Sequence, residues 1–271
     1  MTAARERRRS IVAATGASGG FFSGLTGVGG GAIMIPLMTG ALKMRQHTAH
    51  GTSLFIIIAT ALAAAITYQV RTGVNWALVA TLLPSSIAGA YAGARLVQYL
   101  PAMRLRQVFG VFLLLVGVRM LAFREVASVF DASGAVEAGI GAGIGLAGGI
   151  VAGALGVGGG AIFVPALVLL MGVSQHEAQG VSLWVIVVAA GIGAWTHARH
   201  GSVDREAVLA ITPVAVPSAM LGALVASWLD GDILQRIFGV VVVVVGLQMM
   251  LTATRTLRRE ARMTAKRKAA A

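Results

Sequence analysis

Residues 24–36 read GLTGVGGGAIMIP, and residues 153–165 read GALGVGGGAIFVP. The two stretches lie 129 residues apart, and that offset holds well beyond the glycines. Gln46 and His47 recur as Gln175 and His176. Ala49, Gly51, Ser53 and Leu54 recur as Ala178, Gly180, Ser182 and Leu183. Pro84, Gly93, Leu100, Phe109, Gly110 and Gly117 find Pro213, Gly222, Leu229, Phe238, Gly239 and Gly246 at the same distance. One unit is written twice, and each copy carries a glycine run inside an apolar segment. That is the pattern of a membrane carrier whose site lies at the breaks.

The composition sets the class. Of 271 residues, 57% are apolar and 12% charged, with a mean hydropathy of +0.83. A soluble domain carries about twice that charged fraction. Apolar runs of near 20 residues recur from end to end, enough to cross a hydrocarbon core of roughly 30 Å. These runs do not alternate apolar with polar residues, so a β-barrel is excluded. The chain has no cysteine, which removes disulfides, thiol catalysis and thiolate metal sites. The net charge of +12 gathers at the termini and beside apolar runs. It reads as membrane-surface anchoring, with no nucleic-acid partner expected. Residues 1–10 resemble a signal-peptide head, but no small-residue cleavage site and polar mature chain follow. They are read as a basic cytoplasmic N-terminus ahead of the first membrane element.

Eight apolar segments can be drawn: 11–42, 51–70, 76–100, 107–123, 136–173, 180–198, 207–229 and 233–253. The first, as a straight helix, would run about 48 Å, well beyond the core. The first and fifth also hold five glycines within eight residues: Gly24, Gly27, Gly29, Gly30 and Gly31, then Gly153, Gly156, Gly158, Gly159 and Gly160. Each costs a helix interior roughly 1 kcal/mol against alanine. Two half-helices meeting at the glycines fit better. If every segment crossed once, five basic loop residues would lie inside and six outside. If segments one and five are re-entrant hairpins, Lys43, Arg45, Arg95, Arg104, Arg106, Arg199 and Arg205 fall inside. Arg71, Arg119, Arg124 and Arg236 then fall outside. The positive-inside rule selects the hairpins. Each repeat then makes three full crossings, so the second copy is inverted and the breaks meet near the midplane.

The expected fold is therefore an all-α polytopic membrane protein with two homologous, inverted repeats. Each repeat is a glycine-broken helical hairpin plus three transmembrane helices. Repeat 1 covers 11–123, a connecting loop 124–135, repeat 2 136–253, and a basic cytoplasmic tail 254–271. Both termini face the cytoplasm. The lipid bilayer is the expected surround, and a homo-oligomer is compatible with this class.

Glycine lets backbone N–H groups approach a ligand unobstructed. A half-helix that starts after such a run offers its first free N–H groups and its positive dipole end. Two of them facing each other would hold a small anion. The substrate-binding candidates are Gly29, Gly30 and Gly31 with Gly158, Gly159 and Gly160. Thr52, Ser53 and Ser182, read as early residues of the following helices, would add hydroxyls. Pro36 and Pro165 would kink the second half-helices. A single glycine run is more often a close-packing surface. Duplication at fixed spacing, with Gln-His following, weighs toward a site. No Gly-Lys-Ser/Thr follows either run, which sets aside a nucleotide loop.

His47 and His176, with Gln46 and Gln175, are candidates for gating or proton coupling; capping or interfacial roles stand beside that reading. His50, His197 and His200 have no histidine partner in the repeat and are expected at interfaces. No metal site and no cofactor are expected, because neither a His-Glu-x-x-His motif nor a cysteine is present. No acidic residue falls in the middle of a span, where proton-coupled carriers keep one. Export of an anion driven by an inside-negative potential, about 2.3 kcal/mol per charge per 100 mV, needs no such residue. Arg95 is either a snorkelling boundary residue or a cation at the cytoplasmic mouth. No nucleophile–base pair is apparent, so an enzyme is not expected.

The doubled Gly-Val-Gly-Gly-Gly-(x)4-Pro motif, with Ala-x-Gly-Thr/Val-Ser-Leu after each copy, resembles the TauE/SafE family of sulfite exporters. The resemblance runs from Gly20 to Leu251. It implies a bacterial inner-membrane permease for sulfite, a sulfonate or a related organic anion. It also implies that both glycine runs, with 51–53 and 180–182, form the site. Val181 replaces the Thr52 hydroxyl in the second copy, so the halves contribute unequally. The reading is a secondary transporter exporting a small anion. Uptake, or a membrane-embedded binding or scaffold protein without a transport cycle, are the alternatives.

Overall fold

The computed structural model describes residues 2–96, 102–122, 134–155, 158–199 and 201–269. Leu100, Gly156, His200 and most of the connecting loop expected over 124–135 lie outside them. No strand occurs among the described residues, which form ten helices. These are α1 (Thr2–Thr26), α2 (Gly31–Gly40), α3 (Gln46–Arg71), α4 (Trp76–Leu96), α5 (Ala102–Ala122), α6 (Ala135–Leu155), α7 (Gly160–Met171), α8 (Gln175–Arg199), α9 (Arg205–Trp228) and α10 (Gly231–Ala269). Six of them, α3, α4, α6, α8, α9 and α10, contain stretches long and apolar enough to cross a membrane. The basic residues 2–10 are not a separate tail but the start of α1, because Ala, Arg and Glu are good helix formers. The basic C-terminal residues likewise extend α10 to 39 residues.

The long apolar segments break at the glycines. Gly27, Gly29 and Gly30 have φ of +67°, +94° and +71°, and Gly158 and Gly159 have +94° and +79°. A side chain at such angles collides with its own backbone, so only glycine holds them without strain. α1 ends there and the chain reverses. α2 runs back along α1, with Met34 seated on Gly19, where an added Cβ would lie 2.2 Å from the Met34 Cγ. α7 runs back along α6 in the same way, with the Phe163 ring on Gly148.

Helix directions follow from facing residues. Gly16, Gly20 and Gly24 of α1 meet residues 211 to 223 of α9 in ascending order, so these helices are parallel. Gly141, Gly145, Gly149 and Gly153 of α6 climb α4 from Thr81 to Ala90 in the same sense. α3 and α8 are antiparallel: Gly51 faces Ser202 and His197, Leu54 faces Gly193, and Tyr68 faces Gly180. α5 and α10 are antiparallel too, with Gly110 on Gly246 and Gly117 on Gly239. One end of the bundle therefore gathers the starts of α1, α3 and α9 with the ends of α2, α4, α8 and α10.

Small residues set the close approaches. A Cβ at Gly24 would lie 1.9 Å from the Ala219 carbonyl oxygen, and one at Gly153 2.1 Å from that of Ala90. Among lipids, which are as apolar as leucine, helices associate through such contacts and not through apolar burial. Gly24 and Gly153 thus serve packing, while Gly27, Gly29 and Gly30 in one copy, and Gly158 and Gly159 in the other, serve the break. α3 and α8 form the middle, with 56% and 61% of their apolar windows buried against 28% for α9 and α10. Val70, Leu115, Leu209, Val240 and Val244 face outward.

Candidate substrate site

The two breaks touch. A Cβ on Gly158 would sit 3.3 Å from the Val28 carbonyl oxygen, and one on Gly160 2.6 Å from that of Gly27. Gly29 lies between Ile57 of α3 and Ile186 of α8, residues that the 129-residue offset relates. The Ser182 hydroxyl donates to the Gly27 carbonyl oxygen at 2.9 Å, tying α8 to the first break.

Neither half-helix has a side-chain cap. Gly30 and Gly159 are the N-cap residues of α2 and α7, both left-handed and without a side-chain hydrogen bond. The first backbone acceptors are Gly30, for Ile33 and Met34, and Gly159, for Ile162 and Phe163. The amides of Gly31 and Ala32, at the start of α2, have no acceptor within the helix. They carry the positive end of its dipole.

A cavity of about 400 Å³ opens beside that first turn. Gly31, Ala32, Ile35, Pro36 and Thr39 of α2 line it with Met44 and with Gln46 and His50 of α3. Val245, Gln248, Met249 and Thr252 of α10 close the other side. The lining combines amide, hydroxyl and imidazole groups with an apolar wall, and none of these residues is acidic. Exposed Lys43 and Arg45 flank Met44 in sequence. A narrower cleft of about 20 Å³ shares Ala32 and Val245 with the cavity and reaches Ala161, in the first turn of α7. It has room for little more than one water.

The structure brings Gly31 and Gln46 to the cavity, and leaves the other predicted site residues off its lining. Gly29, Gly30, Gly158, Gly159 and Gly160 are buried. Thr52 and Ser53 are fully buried one to two turns into α3, not at its start. The Thr52 hydroxyl oxygen accepts from the Asp204 N–H at 3.0 Å, and Ser53 donates to the His50 carbonyl at 2.8 Å. His47 is exposed, whereas His176 places Nε2 3.0 Å from the Ala226 carbonyl oxygen. Gln175 is buried. Arg95 lies over the Tyr91 ring at 4.3 Å, a cation–π contact. Among the described residues no group of three His, Cys, Asp or Glu could hold a metal.

Sequence reasoning missed His50, because its counterpart in the repeat is Gln179. It also missed Gln248 and Thr252. Those two had left a trace: polar residues one helical turn apart in an otherwise apolar segment.

An all-helical bundle with six membrane-length apolar helices, two broken helix pairs and a polar cavity beside one break defines a multi-pass membrane protein of the transporter class. The chain belongs to the sulfite exporter TauE/SafE family, whose model matches residues 2–120 and 141–271. It is 27% identical over 254 residues to a "Probable membrane transporter protein" of Xylella fastidiosa, covering 89% of this chain and 95% of that protein. It is 25% identical over 263 residues to "Probable membrane transporter protein YunE" of Bacillus subtilis, covering 89% and 96%. No solved structure matches the chain significantly.

Proposed function

We propose that this transporter exports a small anion, and that the anion binds in the cavity at the first turn of α2. One observation carries the reading: the start of a half-helix with no side-chain cap borders a roomy cavity whose lining residues include no acid. A helix start of this kind favours negative charge. The volume suits a small organic anion, and the apolar wall of Ile35, Pro36, Met44 and Met249 would receive a carbon skeleton. Sulfite fits the family's description, and a sulfonate or a related organic anion would present the same kind of charge.

In this reading the two halves are an inverted pair, and α1–α2 and α6–α7 are re-entrant hairpins. The cavity then opens on the face where Arg9, Lys43, Arg45, Arg199 and Arg205 gather. The positive-inside rule makes that face cytoplasmic, in a bacterial inner membrane. The basic rim would draw anions in before an inside-negative potential drives them out.

The test is flux. Liposomes holding the purified protein and radiolabelled sulfite or sulfoacetate should lose label faster than empty-membrane controls. The rate should rise when a potential negative on the loaded side is imposed. No flux of any anion supports a binding or scaffold protein; flux that collapses with the proton gradient overturns potential-driven export. Cysteines introduced singly at Lys43 and Arg71 should label from opposite faces, the first from the cytoplasm.

A further inference from the structure

Among the described residues the first turn of α7 meets only the narrow cleft at Ala161, yet its surroundings are not those of an ordinary core. Gln175 and Gln179 are 4% and 0% exposed. Neither the oxygen nor the nitrogen of the Gln175 amide has a hydrogen-bond partner among the described residues. Gln179 accepts from the Tyr68 hydroxyl through Oε1, while its Nε2 has no partner among them. Buried polar groups are almost always paired, and each exception asks for a reason.

The repeat supplies one. The 129-residue offset relates Gln175 to Gln46 and Gln179 to His50, both of which line the open cavity. It also relates Gln248, across that cavity, to Arg119 on α5. The closed half therefore holds the polar counterparts of the open half, shut between α7, α8 and α3. Several contacts hold it shut. Tyr68 is bonded to Gln179, Val74 sits against Gly180, Trp76 and Trp184 lie 5.1 Å apart, and His176 reaches Ala226.

We propose that Gln175 and Gln179 line a second anion site, the counterpart of the open cavity, which opens to the opposite face in another conformation of this chain. The proposal rests on the carrier reading. In that second state Tyr68 releases Gln179, the two amides turn toward solute and water, and the first turn of α7 is uncovered. Arg119 would then border the site with a fixed positive charge, where the open cavity has only an amide. The same solute would thus meet a neutral wall on one face and a cation on the other.

The cysteine-free chain allows a direct test. Gln175→Cys and Thr39→Cys variants are placed in liposomes, and the impermeant anionic reagent 2-sulfonatoethyl methanethiosulfonate is added to one face at a time. Cysteine at 39 should react from the face of the termini. Cysteine at 175 should react only from the opposite face, about tenfold more slowly, because the open state there is a minor population. Adding Tyr68→Phe should speed labelling at 175 and slow it at 39, as one equilibrium moves. Cysteine at 175 that stays unreactive in the Tyr68→Phe background, or that reacts from the face of the termini, overturns the proposal. Gln175→Leu gives an independent reading. Removing an unpaired buried amide should raise the melting temperature while flux falls about tenfold or more. Raised stability with unchanged flux means that Gln175 is only a core residue. If the unmodified protein moves no anion, the carrier reading itself fails; if it does and position 175 stays closed, only the second site fails.

Discussion

The two glycine breaks carry nearly the same sequence and the same backbone, but lie in different surroundings. Gly30 and Gly159 are both left-handed caps, at φ +71° and +79°, and each starts a half-helix with proline as its sixth residue. Beyond that the halves part. α7 sits in the main core, with Phe163, Val164, Leu167 and Val168 all buried, whereas α2 buries Met34 and Met38 and turns Ala32, Ile35, Pro36 and Thr39 to the cavity. Gln46 is exposed and Gln175 buried. The break is thus a local property, dictated by glycines that alone tolerate its angles. Access is a tertiary property, set by how α3 and α10 stand against one half-helix and α8 and α5 against the other. One local device in two environments is what a carrier with two alternating faces requires.

Replacing the cap glycines should produce the largest effect. Gly30→Ala places its Cβ 2.4 Å from the Gly19 carbonyl oxygen, which is backbone and cannot yield. Gly159→Ala meets the Gly148 carbonyl oxygen and the Phe163 ring at 2.9 Å each, a milder overlap. Both also place alanine at positive φ, a cost of about 1 kcal/mol. We expect flux to vanish in the first and to drop about tenfold or more in the second, with a larger fall in melting temperature for the first. Equal damage would mean that the breaks differ less in their packing than their contacts indicate.

The next test addresses access itself. Thr39 lines the cavity, and its counterpart Val168 is 4% exposed. A cysteine at Thr39 should react with an impermeant thiol reagent at least about tenfold faster than one at Val168, by analogy with the protection that burial gives against local opening. Comparable rates would place the closed half in rapid exchange with the open one.

Much of this contrast was beyond reach of the sequence, for identifiable reasons. The breaks were legible because clustered glycines in an apolar segment have few structural uses, and a doubled cluster fewer. The membrane class followed from length and hydropathy. The cavity did not, because the helix that closes it, α10, lies far along the chain from α2 and α3. Repeat matching hid His50, since it weighs residues that recur and His50 faces a glutamine. Thr52 and Ser53 misled for a related reason: a hydroxyl near a helix start reads as a ligand, but Thr52 is committed to Asp204 and Ser53 to its own helix. Even the glycine run was not uniform. Gly24 and Gly29 are five residues apart, yet one presses on α9 while the other turns the chain.

Smaller effects probe the contacts that tie each half in place. Ser182 holds the carbonyl of Gly27 in the opposite break, whereas its counterpart Ser53 bonds one turn back within α3. Ser182→Ala leaves that carbonyl without its hydroxyl donor and should cost about 1–3 kcal/mol. Ser53→Ala should stay within about 0.5 kcal/mol, since its acceptor, the His50 carbonyl, is already placed for a helical bond. Chemical denaturation in detergent compares them. Equal losses would show that the cross-half bond is no stronger a tie than a helix's own.

The smallest expected difference separates the paired histidines. His176 is half-buried and its Nε2 lies 3.0 Å from the Ala226 carbonyl oxygen, at the end of α9. That carbonyl also accepts from the Leu229 N–H at 3.2 Å, so it keeps a partner if the imidazole goes. His176→Ala should therefore cost about 0.5–1 kcal/mol, near the low end for a hydrogen bond. His47 is exposed, and His47→Ala should change stability by less than about 0.5 kcal/mol. Stability alone does not decide what His176 does, because a gate and a brace lose the same bond. Flux does. A brace leaves transport unchanged per folded molecule, whereas a gate on the closed face, once loosened, shifts the balance between the two faces and moves labelling at Thr39→Cys with it. A His47 variant that disturbed transport as strongly would place the functional histidine on the open face, and so reverse which half holds the barrier.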